Sequence, residues 1–113
     1  MTATKVNILG IEYKIITLSA EQLNGKAGET DFYTKEIKLS DLSDTFVENM
    51  TTNIQGFKND VLKHEIIHAF LFESGLCMQS GETESWAQNE TMVDWFAIQS
   101  PKIFKVYEEL GIL

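Results

Sequence analysis

His64, Glu65 and His68 are the residues of this sequence whose types and spacing do chemistry most directly. They form the pentapeptide HEIIH and include both histidines of the chain. On a helix, positions four apart project from one face a turn apart, so the two imidazoles converge on a single metal ion. Two imidazoles with an oxygen ligand suit zinc, although other divalent ions compete for such a set. Glu65 sits beside the first histidine, where a carboxylate takes a proton from metal-activated water without ligating. The chemistry this predicts is hydrolysis by zinc-activated water, with Glu65 as general base.

A catalytic zinc takes three protein ligands and keeps a position open. The form with a glycine and a third histidine further along the same segment is excluded, because Leu71 and Ser74 occupy those positions. Glu73 lies five residues beyond His68, which turns it about 140° away on a helix. A carboxylate from a following helix remains, and the segment NETMVD offers Glu90 and Asp94 one turn apart. Glu90 is expected to complete the metal sphere, and Asp94 to hold the ring N–H of a ligating histidine from outside it. Glu82 and Glu84 compete for the ligand role, but Trp86 and Gln88 stand four positions after them, where Glu90 has Asp94.

HEIIH followed by NETMVD resembles the gluzincins, zinc peptidases with HExxH and a later glutamate ligand, whose NExxxD pattern falls on Asn89, Glu90 and Asp94. The continuation DWFA is similar to the ImmA/IrrE-like bacterial and phage peptidases. The resemblance spans Phe57 to Ala97 and implies a minimal zincin-like metallopeptidase. It implies an α+β fold, in which a small mixed sheet with an edge strand packs on the HExxH helix and a glutamate-bearing helix follows. It also implies peptide or protein substrates captured by strand addition at residues 32–40, with a narrow regulatory target. The chain departs from the larger gluzincins in lacking a second large domain and a third histidine to stabilise the transition state. Tyr33 or Tyr107 could substitute for that histidine, and nothing in the sequence selects between them. A zinc-bound regulatory or protein-binding module without turnover is the alternative reading.

The elements that must position these residues are partly legible. Val6 to Leu18 is rich in β-branched and aromatic residues and broken by Gly10, which suggests a strand or a short hairpin turning there, and the segment reads as strand. Residues 19–30 carry Gly25 and Gly28 among polar side chains and read as a loop with one helical turn at its start. FYTKEIKLS, residues 32–40, alternates as a strand and carries charge on both faces, as an edge strand does. Residues 41–55 suggest a short helix around Phe46 to Met50. Phe57 to Ser74 repeats apolar residues at helical steps and is expected to be central and largely buried, with Gly75 as its stop. A helix from about Thr83 to Gln99 and a last short one from Ser100 and Pro101 to Gly111 complete the chain. Trp86, Trp95, Phe96, Phe70 and Phe72 are expected in the core, with Cys77 and Met78 as packing residues.

With 113 residues, a single domain is expected. A net charge of −8, with every basic residue a lysine, opposes phosphate backbones and argues against nucleic-acid binding. No apolar run reaches membrane-spanning length, so a cytoplasmic protein is the default expectation. The lone Cys77 excludes an internal disulfide.

Overall fold

The computed structural model describes residues 4–42, 54–79 and 86–113. Strand β1 (Thr4–Ile8) and strand β2 (Ile11–Leu18) form an antiparallel hairpin with Ile8 opposite Ile11. The two-residue turn puts Leu9 and Gly10 at φ of 52° and 93°, the left-handed pair that matches the twist of a hairpin. The Asn7 side chain accepts from the Gly10 N–H at 2.8 Å and supports Leu9 in a conformation unusual for a branched residue. The stretch read as strand is therefore two strands, a hairpin turning at Leu9 and Gly10.

Ser19 and Gln22 then cap a single turn reciprocally. The Ser19 N–H donates to the Gln22 side chain at 2.9 Å, and the Gln22 N–H donates to the Ser19 hydroxyl at 3.1 Å. Strand β3 (Gly28–Asp31) follows, and a turn over residues 32–35 leads into strand β4 (Glu36–Ser40). The sheet order is β1-β2-β4-β3, with β2 and β4 parallel and the other pairs antiparallel. This small mixed sheet corrects the expectation of one edge strand over residues 32–40. FYTK is a turn, because Asp31 accepts from the N–H groups of Tyr33 and Thr34 at 3.0 and 3.1 Å and Lys35 adopts a φ of 60°. EIKLS is an inner strand with neighbours on both sides, so it has no free edge for strand addition. Its charge alternation marks a polar sheet face, where Lys38 lies 3.8 Å from Glu29 and 3.6 Å from Asp31. The edges are β1 and β3, and β3 falls in the stretch read as loop but for its last residue, Asp31.

Helix α1 (Ile54–Glu73) lies against the other face of the sheet. Val61, Leu62, Ile66 and Ala69 meet Ile8, Tyr13, Ile15, Ile37 and Leu39 to form the core. Gly75, at a φ of 87°, ends this stretch as expected. Only Glu65 and Ala69 of the helix are buried, however, and Phe70 is 39% exposed. A four-stranded sheet covers one side of a helix, so the apolar stretch from Ile66 to Phe72 is half rather than fully covered.

Helix α2 (Leu76–Gln79) and a 3₁₀ turn (Trp86–Gln88) lead to helix α3 (Glu90–Glu109), which packs on α1. The two helices expected over 83–99 and 100–111 are one. Asn89, not a residue near Thr83, is the N-cap, and its side chain accepts from the Met92 N–H. Pro101 lies inside α3 on its exposed side. A proline removes a single intrahelical bond at a cost of about 3 kcal/mol, and here the turns on either side carry the helix through.

Trp95 and Phe96 are 53% and 43% exposed, against the expectation of core positions, whereas Phe72 stacks on Phe32 with ring centroids 4.3 Å apart. Cys77 is buried, as expected of a packing residue. The side chains of Trp86 and Met78, the suggested helix around Phe46 to Met50, and Glu82 and Glu84 lie outside the described residues. Among the described residues no helix is long and apolar enough to cross a membrane.

Candidate metal centre

Helix α1 carries His64 and His68 one turn apart, with their Nε2 atoms 3.2 Å from each other. The N-cap at Asn89 places Glu90 in the first turn of α3, where the helix dipole favours a carboxylate. Its Oε1 lies 2.9 Å from His64 Nε2 and 2.7 Å from His68 Nε2. Asp94, one turn further on, faces His64 Nδ1 at 3.3 Å. The four residues that the sequence grouped as ligands and outer partner therefore meet across the α1–α3 interface.

The donor set itself tests whether this triangle suits a metal. In the tautomer with its proton on Nδ1, His64 would donate to Asp94 and keep a lone pair on Nε2. That lone pair would converge with the His68 ring nitrogen and a carboxylate oxygen, a set of donor atoms that a cation satisfies. At Zn–N and Zn–O lengths near 2.0–2.1 Å, neighbouring ligands of a tetrahedral ion are separated by ~3.3 Å. The observed 2.7–3.2 Å triangle is a slightly contracted face of that tetrahedron. His64, His68 and Glu90 thus form a group able to hold a metal ion. Burial pushes the Glu90 carboxyl up, but hydrogen bonds from His68 and His64 and their charge outweigh it and hold the group below the usual carboxylate range.

Glu65 stands outside the ligand triangle, and its neighbours are ones the sequence did not suggest. It is buried under β3, where the Thr30 hydroxyl donates to its Oε1 at 2.7 Å and also lies 3.1 Å from its backbone carbonyl. Gly28 makes this approach possible. A Cβ there would stand 2.8 Å from Val61 Cγ1 and 3.2 Å from Glu65 Cγ. The only prior sign was a glycine in a polar stretch, since contacts that join residues 35 positions apart leave no local pattern.

Two open clefts flank the triangle and share Gly28, Glu65 and Glu90. One, of about 300 Å³, adds His64, Asp94, Asp60, Phe57 and Val61. The other, of about 280 Å³, adds His68, Phe32, Lys26, Glu29 and Gln88. Neither Tyr33 nor Tyr107 lines either cleft. Tyr33 is 97% exposed in the β3–β4 turn, and Tyr107 lies near the far end of α3, about 25 Å along the helix from Glu90. Glu73, set aside on angular grounds, faces the sheet, where it accepts from Tyr13 and Lys35.

No family model, curated protein or solved structure matches this chain, so the chemistry of the centre is read from its own atoms.

Proposed function

We propose that the protein is a zinc-dependent metallopeptidase of zincin-like build, in which His64, His68 and Glu90 hold the ion. The observation that carries this reading is the convergence of the three ligand atoms, with Asp94 behind His64 and the buried Glu65 beside them. Zinc, when bound, supplies Lewis acidity that makes water a nucleophile near neutral pH and polarises a carbonyl. Glu65 takes the proton of the attacking water and delivers it to the leaving amine. The Thr30 hydroxyl holds Oε1 of that carboxylate and leaves its other oxygen to carry the proton. Asp94 keeps the His64 proton on Nδ1, so that Nε2 remains a ligand.

The outer edge of β3, rather than residues 32–40, presents backbone groups beside the site for an extended peptide. The clefts on either side of Glu90 then receive the side chains flanking the scissile bond.

The test is incubation of zinc-loaded protein with a diverse peptide library, paired with metal analysis of each variant. Cleavage by the wild type that falls at least ~100-fold in Glu65→Gln, with bound zinc retained, is the expected result. A wild type that binds one zinc and cuts no peptide would instead favour a regulatory module without turnover.

A further inference from the structure

We propose that α3 joins two copies of this chain through a short parallel coiled coil along a face that the metal centre does not use. Met92, Phe96, Gln99, Ile103, Val106 and Leu110 follow one another at steps of four, three, four, three and four residues. This is the 3.5-residue repeat of a coiled-coil seam. At 100° per residue the row is centred about 120° around the helix from Val93 and Ala97, the buried positions that pack inward. Packing on α1 leaves part of the row open: Val106 and Leu110 are 51% and 67% exposed and Phe96 is half-exposed, while Met92, Gln99 and Ile103 are partly buried along its length. A helix that needed only α1 would have no use for a second apolar stripe at this period.

The repeat points to a second copy rather than an unrelated partner because a seam of this register is complementary to itself about a two-fold axis. The exposed surface of the row with its flanking Trp95 and Tyr107 comes to roughly 600 Å² per copy, close to the ~800 Å² each partner gives to a standard interface. The polar Gln99 fixes the direction. In parallel pairing it meets Gln99 of the second copy and the two amides bond, whereas antiparallel pairing sets it against an aliphatic side chain. Parallel pairing also brings Lys102 of one copy to the ring of Tyr107 in the other, since they hold the flanking positions that meet across such a seam. Glu90, Asp94 and Pro101 lie on the opposite side of α3, so dimerisation leaves the metal centre accessible. With fewer than three heptads, the pair is held weakly enough to dissociate on dilution.

Sedimentation equilibrium of the full chain from ~1 to ~300 µM is expected to show a reversible monomer–dimer equilibrium. Ile103→Glu should weaken association more than ~100-fold with the circular dichroism unchanged, and Gln99→Leu should tighten it. Val106→Cys should form an intermolecular disulfide under mild oxidation, with the wild type as control for Cys77. A chain that stays monomeric at the highest concentration, or a dimer indifferent to both Ile103→Glu and Gln99→Leu, overturns the proposal. A dimer in which Val106→Cys does not cross-link overturns the parallel arrangement.

Discussion

Gly28 has no room for a side chain, because a Cβ there would sit 2.8 Å from Val61 Cγ1 and close over Glu65. Gly28→Ala should therefore push β3 away from α1 at a cost of about 1–3 kcal/mol, the range for overpacking a tight contact. Since β3 carries Thr30, the same shift should loosen the Glu65 carboxylate and, on the proposed function, lower turnover more than it alters zinc content. Thermal denaturation, metal analysis and peptide cleavage on one preparation separate these effects. Unchanged stability and unchanged cleavage would refute the close approach. At this scale the sequence is unevenly informative. The four-residue spacings of His64 with His68 and of Glu90 with Asp94 are properties of a helix and can be read without a fold. Gly28 and Thr30 become partners of Glu65 only once β3 crosses α1, so their roles are invisible in the chain.

Elements carry these residues to each other, and two local devices fix how they do so. The Asn89 side chain caps α3 and sets Glu90 in its first turn. Asn89→Ala should cost about 1 kcal/mol and weaken zinc binding, because the ligand's turn frays with the cap. A competitive chelator titration checks this, with Asn89→Asp expected to restore most of the affinity. The second device ties the far end of α1 to the sheet: Glu73 accepts from the Tyr13 hydroxyl at 2.6 Å and from Lys35 Nζ at 2.7 Å. The Lys35 hydrogen bond, then that of Tyr13, holds the Glu73 carboxyl below its ordinary value of 4.5. A carboxyl lowered on folding stabilises the fold above its unfolded pKa, and that contribution is lost as pH falls through the folded value. Tyr13 is raised from 10.0 by burial, then by the Glu73 carboxylate, so its share is complete below 10.0 and disappears at higher alkalinity. The Tm of the wild type should thus fall below pH 4.5 more steeply than that of Glu73→Gln, and equal slopes would show that the pair contributes nothing.

Helix α1 was legible because it is announced within its own residues, by a helical repeat ending at Gly75, whereas Val6 to Leu18 was legible as strand and Gly10 only as a break in it. The β3–β4 turn and the unbroken α3 were not. An Asp31 side chain capping two N–H groups reverses a strand-like stretch, and packing on α1 outweighs a proline that locally reads as a stop.

Across the whole molecule, α3 is the outlying element. It packs on α1 and on the 3₁₀ turn, and it meets none of the sheet strands to a comparable extent. The sheet and α1 share one core, so they form the better anchored body. The candidate metal centre bridges the two parts, with two of its possible ligands on α1 and one on α3. On the proposed function, an ion held there would be a cross-link between them as well as a reagent, and its binding energy would add to folding. At a free concentration a hundredfold above its Kd, a ligand of the native state adds about 2.7 kcal/mol. For a domain of this size that corresponds to a Tm change of roughly 10 °C or more. Chelation should lower the Tm of the wild type by that order and leave His68→Ala, which has lost a ligand, where it was. The loss should also be local. Amide exchange along the first turns of α3 should accelerate on metal removal, while β1, β2 and β4 keep the protection of the common core. Equal acceleration in sheet and helix would mean that the molecule opens as one unit, and no change in α3 would mean that Glu90 does not hold the ion.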